Sequence, residues 1–268
     1  MGAGNIGRQI ALVAALSGFE TWSVDVDASH LGAAAVFTDE YLGARVEKNK
    51  LDQVAADAAR ARLNFTTDLG EAAALASFVI EAVTEKLDVK RGVFAQLDTI
   101  CPPPCVLASN SSFIVSSLLA AVTEHGDRVC NLHFFSPVPV MKLAEVVQGP
   151  HTSERTVERA LEMARALGKT PVLLQKECHG FIVNRIMLAA EREAFRILEE
   201  GVASPEQIDV AVEAGLNHPM GPFRLADFVG LDLFHEVLRE TGQVPAVIEE
   251  MCDAGRLGRR SGVGFYRY

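Results

Sequence analysis

The sequence predicts an α/β protein: a doubly wound, mostly parallel sheet whose first strand is missing from the pattern, followed by an all-helical C-terminal domain. Three observations predict it. Short β-rich runs alternate with helical patterns as far as Leu174, the order that builds a parallel sheet with helices on both faces. A glycine loop, Gly2-x-Gly4-x-x-Gly7, opens the first helix. After Gln175 the strands stop and helices take over, which divides the chain into 1–175 and 176–268.

The elements follow in order. Ile6, Ile10 and Val13 recur at helical spacing, and Gly18 ends that helix. Thr21–Val26 reads as a short strand carrying Asp25 at its end. Residues 28–62 read as helical, with Lys48 and Lys50 near a turn. Ser77–Val83 has the apolar run of a buried strand, and Val89, Val93, Leu97 and Ile100 mark an amphipathic helix. Val106–Ser109 is a strand ending in the turn Ser109-Asn110-Ser111-Ser112. Val129–Phe135 and Met141–Val147 are further strands. Ser153 caps a helix over 153–167 that Gly168 stops, and Thr170–Leu174 closes the alternation. Beyond it, 181–200 is a long helix, and Ser204-Pro205-Glu206-Gln207 starts another with a cap and a first-turn proline.

Bulk properties exclude several classes. The formal charge of the 268-residue chain is -10, which argues against a nucleic-acid surface. No apolar run is long enough to span a membrane. The five cysteines form no pair of metal-binding motifs, so no metal is expected, and their odd, scattered placement reads as reduced thiols in a cytoplasmic protein.

The chemistry-bearing residues are few. Gly2, Ala3, Gly4, Asn5, Ile6 and Gly7 form a loop of dinucleotide-phosphate spacing. The amides of the helix behind it suit a pyrophosphate. Asp25, about 20 residues on, is placed to bind ribose hydroxyls. Asp27 adds a second acid with no Arg or Lys nearby, so NAD is favoured over its 2′-phosphorylated form. Alone, such a loop is as often an ordinary turn. His133 and Glu145 each sit inside an apolar strand. A lone strand histidine is more often a satisfied core residue. A buried carboxylate, however, is costly without a partner. If the two strands are neighbours, Glu145 can orient the His133 ring and make its free nitrogen a base.

Taken together, GAGNIG, Asp25, EAVTEKLDVK, ASNSS, HFFSPVPVMKLAEVV, GFIVNR, HPMGP and GRRSGVGFYRY resemble the L-3-hydroxyacyl-CoA dehydrogenase family, most closely its 3-hydroxybutyryl-CoA branch. The likeness runs in register from Gly2 to Tyr268. It implies an NAD-binding Rossmann domain, a helical domain that forms a homodimer, and an acyl-CoA substrate. It also implies roles: His133 as base, Glu145 as its orienting carboxylate, and Ser112 and Asn184 on the substrate oxygen. Glu85, Lys90, Ser112, Ser136 and Arg260 match cofactor-side positions, and Lys48 matches a CoA contact. The family pattern often has Asn at Ser136, Lys at Arg260, Ser at Tyr41 and Pro at His179, and a longer segment between Glu240 and Val247. Two other readings stay open: a dehydrogenase of a free 3-hydroxy acid, as in the gulonate dehydrogenase and lambda-crystallin branch, and a non-catalytic relative.

Only Met1 stands ahead of Gly2, where this fold places its central first strand. A strand of that kind buries several apolar side chains, worth on the order of 10 kcal/mol in total, against a domain stability of ~5–15 kcal/mol. The expectation is that the natural start lies upstream and that Met1 stands near the end of that strand. Targeting signals are then not readable.

Overall fold

Thr21–Val24 (β1) and Leu63–Thr66 (β2) pair in parallel, and five further strands form a second sheet. These are Phe78–Glu81 (β3), Val106–Ser109 (β4), Val129–Phe134 (β5), Leu143–Val147 (β6) and Thr170–Leu174 (β7), in the order β3-β4-β5-β6-β7. All neighbours run parallel except β5 and β6, which are antiparallel. The structure, a computed structural model, describes residues 1–240 and 244–268. The 240–247 segment therefore falls partly outside the described residues.

Asn5–Leu16 (α1), Ala28–Glu47 (α2), Gln53–Ala61 (α3), Leu69–Ala73 (α4), Leu87–Ile100 (α5), Ser116–Ala120 (α6) and Glu154–Ala166 (α7) connect these strands. Their starts are chemically similar. Asp27, Asp52, Asp68 and Ser153 each accept an amide of the first turn of α2, α3, α4 and α7, which satisfies a donor the helix itself cannot. The continuous helix expected over 28–62 is broken. Asn49 turns left-handed at φ 51°, and Asp52 caps a new start. Residues 63–66, just beyond that span, form β2, a strand the sequence reading did not include. The sheet is buried on both faces. Ala108, Leu132 and Val146 pack with Ile10 and Val13 of α1 and Ala160 and Ala164 of α7. Leu107 and Val129 face the other way, onto Phe94 and Leu97 of α5 and Leu119 of α6.

The chain divides into Met1–Ile182 and Val183–Tyr268, later than the boundary expected near 175. The intervening residues stay with the first unit for a visible reason. Glu177 accepts bonds from the Ser116 hydroxyl and the Ser117 amide, and the Ile182 amide donates to Glu145. The second unit holds Val183–Glu199 (α8), Pro205–Leu216 (α9), Pro222–Val229 (α10), Leu231–Glu240 (α11) and Ala246–Asp253 (α12). Phe195 of α8 centres its core, with the rings of Phe223, Phe234 and Phe265 around it at 5.5–6.2 Å. Two buried acids hold the C-terminal segment. Asp227 accepts the Phe265 and Tyr266 amides, and Asp209 accepts the Tyr266 hydroxyl at 2.6 Å.

Candidate active site

The register of β5 and β6 sets His133 directly opposite Glu145. Opposed residues of an antiparallel pair lie on one face, so the side chains meet: His133 Nδ1 is 2.9 Å from Glu145 Oε2. Both residues are almost fully buried. An ionised carboxylate only accepts, so the ring proton sits on Nδ1 and Nε2 carries the lone pair. Nε2 faces the Ser112 hydroxyl at 3.2 Å. Glu145 Oε1 takes the Ile182 amide at 3.0 Å. The rings of Phe135 and Phe181 flank the imidazole, with centroids at 4.6 and 5.5 Å. The imidazole is thereby held in one orientation and tautomer.

A charged network lies beside this pair, at the carboxyl ends of β3 and β4. Glu81 is fully buried. Its Oε1 takes Lys90 Nζ and the Val83 amide, each at 2.7 Å, and its Oε2 takes the Ser109 hydroxyl at 2.7 Å. Lys90 also reaches Glu85 at 3.2 Å. Glu85 in turn accepts the Ser111 hydroxyl and the Ser112 amide. Burial opposes ionisation of Glu85, yet the Lys90 ammonium and the Ser111 hydroxyl outweigh it and hold the carboxyl below its usual range. Glu85 is exposed at the rim, whereas Lys90 is 1% exposed. The Lys90 ammonium is directed to Glu81, Glu85 and the Val83 carbonyl. Glu81 was not singled out in the sequence, and Ser109 and Ser111 only as part of the turn that ends in Ser112. Their signal was there: an acid inside the apolar run SFVIEAV is as costly as Glu145.

At the other end of the rim, Gly4 leads into α1. Gly2 adopts φ +89°, and a side chain there would meet the Ala82 carbonyl. A Cβ on Gly7 would lie 1.8 Å from the Gly2 carbonyl oxygen, so only glycine permits the loop to pack this tightly. Gly4 faces open space. The first-turn amides of α1 have no intrahelical acceptor and no acidic side chain competes for them. β1 ends at Val24, one residue before Asp25. Asp25 Oδ2 accepts the Ala3 amide at 2.7 Å, while Oδ1 meets the Asp27 amide and His30. Burial raises the Asp25 pKa, but these bonds prevail and keep it ionised. Open space at Gly4, free helix amides and a held carboxylate fit the pyrophosphate and ribose of NAD.

The remaining expected residues are placed as follows. Ser136 is exposed just after β5, and Lys48 is exposed at the C-terminal end of α2. Asn184 is the second residue of α8, and Arg260 pairs with Asp232, both within the second unit. Among the described residues no cluster of ligating side chains is suited to a metal, and no helix is long and apolar enough to cross a membrane.

Comparison with known proteins identifies the family. Residues 1–178 match the family model of the 3-hydroxyacyl-CoA dehydrogenase NAD binding domain, and residues 180–268 match that of the C-terminal domain. The chain is 40% identical to a probable 3-hydroxybutyryl-CoA dehydrogenase of Deinococcus radiodurans, covering 100% of this chain and 98% of that one. It is also 40% identical to the 3-hydroxyadipyl-CoA dehydrogenase of Escherichia coli, covering 99% of this chain and 58% of the longer relative. The crystal structure of (S)-3-hydroxybutyryl-CoA dehydrogenase from Ralstonia eutropha superposes with a TM-score of 0.93 at 38% identity, over 100% of this chain and 96% of that one. With two matched domains, full-length relatives and a cofactor loop of fitting shape, the chain belongs to the 3-hydroxyacyl-CoA dehydrogenase family of NAD-dependent oxidoreductases.

Proposed function

We propose that His133 is the general base of 3-hydroxyacyl-CoA oxidation and that Glu145 and Ser112 position it. The observation that carries this reading is the line Ser112–His133–Glu145, with its lone pair on Nε2. His133 Nε2 takes the proton of the C3 alcohol as carbonyl character develops. Glu145 stabilises the imidazolium that forms, and its second oxygen stays fixed by the Ile182 amide. NAD, when bound, supplies the hydride acceptor. Ser112 donates to the substrate oxygen, and its amide is held by Glu85. In the reverse direction the same imidazolium returns the proton to a 3-ketoacyl-CoA. Asn184 is assigned to the substrate oxygen and Lys48 to the CoA portion on the resemblance alone. A homodimer and a cytoplasmic location belong to the same reading.

NADH oxidation with acetoacetyl-CoA, and with free acetoacetate beside it, is the test. The CoA thioester is expected to turn over and the free acid not. His133→Ala is expected to lower kcat by about 10²–10⁴-fold while NADH affinity, read by fluorescence titration, stays within twofold. Undiminished turnover by that variant removes the base assignment. Preference for the free acid moves the substrate to the hydroxy-acid branch.

A further inference from the structure

The face of α1 that packs on the sheet is apolar at Ile6, Ile10 and Val13, yet Gln9 beside them is buried, at 6% exposure. A buried amide is costly unless its hydrogen-bonding groups are met. Here they are met on both sides. Gln9 Nε2 donates to the Asn5 carbonyl at 2.9 Å and to the Asn5 side-chain oxygen at 3.2 Å. Gln9 Oε1 accepts the Val138 amide at 2.8 Å, across 129 residues of sequence. A backbone N–H only donates, so the oxygen must face Val138 and the NH2 group must face Asn5. The side chain has one satisfied arrangement.

Each end of this bridge stands in a part of the cofactor site. Asn5 is the first residue of α1, directly behind Gly4, and its amide belongs to the first turn. Its side-chain oxygen also takes Arg8 at 3.3 Å. Val138 lies in the connection between β5 and β6, and so between His133 and Glu145 in the chain. The Val138 carbonyl takes Lys169 Nζ, which reaches the Met141 carbonyl as well, at 2.9 Å. The Pro137 carbonyl accepts the Val140 and Met141 amides. The connection is therefore a fixed turn, gripped at Val138 through both its amide and its carbonyl, with Ser136 exposed beside it.

We propose that Gln9 is a positioning residue of the cofactor site: it ties the glycine loop to the β5–β6 connection, so that NAD held at the loop also steadies the segment that carries Ser136 and follows His133. The proposal rests on the reading of Gly2–Gly7 as the cofactor loop. Gln9 acts through Asn5 and Val138. Opening the Val138 bond frees the Gln9 side chain and with it the Asn5 side chain. A ligand that needs the first turn of α1 in order makes that opening rarer. A Gln9 that merely satisfied a buried amide would add stability and pass nothing from one element to the other.

The test follows amide hydrogen exchange and NADH affinity in the parent chain and in Gln9→Met, which keeps the length of the side chain and removes its bonds. With NADH at about 100 times its Kd, the Val138 amide of the parent is expected to exchange up to about 100-fold more slowly. In Gln9→Met, NADH is expected to protect the amides of Asn5–Gly7 but to slow Val138 by less than about threefold. That variant is also expected to bind NADH about three- to tenfold more weakly in a fluorescence titration, because the ligand must then order Asn5 itself. Asn5→Ala, at an exposed position, cuts the same bridge from its other end and is expected to weaken NADH in the same direction. The double variant is expected to lose little more than Gln9→Met alone, since both changes break one link. Equal protection of Val138 in parent and Gln9→Met, a parent whose loop is protected while Val138 is not, or additive losses in the double variant each overturn the proposal. So does a lower Tm for Gln9→Met with NADH affinity within about twofold of the parent. If Gln9→Met does not fold, the response of Val138 to NADH in the parent and in Asn5→Ala decides the matter in the same terms. Protection missing from the loop itself removes the cofactor-loop reading, and this inference with it.

Discussion

Two buried glutamates, one in each unit, have opposite surroundings. Glu145 meets a histidine nitrogen with one oxygen and a backbone amide with the other. Glu191, on α8, is also buried, but its Oε2 has no partner among the described residues and its electrostatic neighbour is Asp209. Burial and then Asp209 push the Glu191 carboxyl up to about 8. Burial alone therefore does not make a carboxylate useful. Glu145 has a partner whose charge changes during the proposed reaction. Glu191 has a neighbour of its own sign, and near neutrality it is held as an acid. The same comparison extends to Glu81, whose two oxygens are occupied by Lys90, Val83 and Ser109 and whose charge has a structural role.

The largest expected effect comes from Glu145→Gln. The shape is kept and the charge lost, so kcat is expected to fall by roughly 10³-fold or more. A kcat within tenfold of the parent would place Glu145 with Glu81 as a structural acid.

Glu191→Gln is expected to leave kcat unchanged and to alter stability with pH. The ordinary value of 4.5 rises to about 8 in the fold. The folded chain thus holds a proton that the unfolded chain has lost between those values, and stability falls as pH rises through that window. The variant removes this slope. Its gain over the parent is expected to be absent near pH 4 and to reach about 2–4 kcal/mol near pH 8. Parallel pH–Tm curves for the two chains would show that Glu191 is paired after all.

Tyr266→Phe is the smallest change. It removes the hydroxyl that Asp209 accepts, leaving Asp209 its two backbone donors at Phe223 and Arg224. A loss of about 1 kcal/mol is expected, read as a Tm lower by roughly 2–4 °C, with no change in turnover. A change in kcat instead would tie this cluster to catalysis.

Legibility in the sequence followed signal length. α1, α5 and α7 were plain because 12–14 residues of apolar periodicity leave little choice. β2 was hidden: Leu63-Asn64-Phe65-Thr66 is four residues long, follows an alanine-rich helix and carries an Asn. Only its pairing with β1 makes it a strand. The break at Asn49 was equally quiet, although Asp52 offers a cap. Within the site, His133 and Glu145 stood out as polar residues in apolar runs. Lys90 did not announce its burial, because nothing local says that Glu81 lies within reach.

Residue order alone established the alternating fold, the glycine loop with its acid at Asp25, and the polar residues that an apolar strand would not hold without cause. These are local or periodic signals, carried by spacing along one chain. Which acid meets which base is a matter of register between strands distant in sequence. The antiparallel pairing of β5 with β6 brings His133 to Glu145, and the parallel pairing of β3 with β4 brings Glu81 to Ser109.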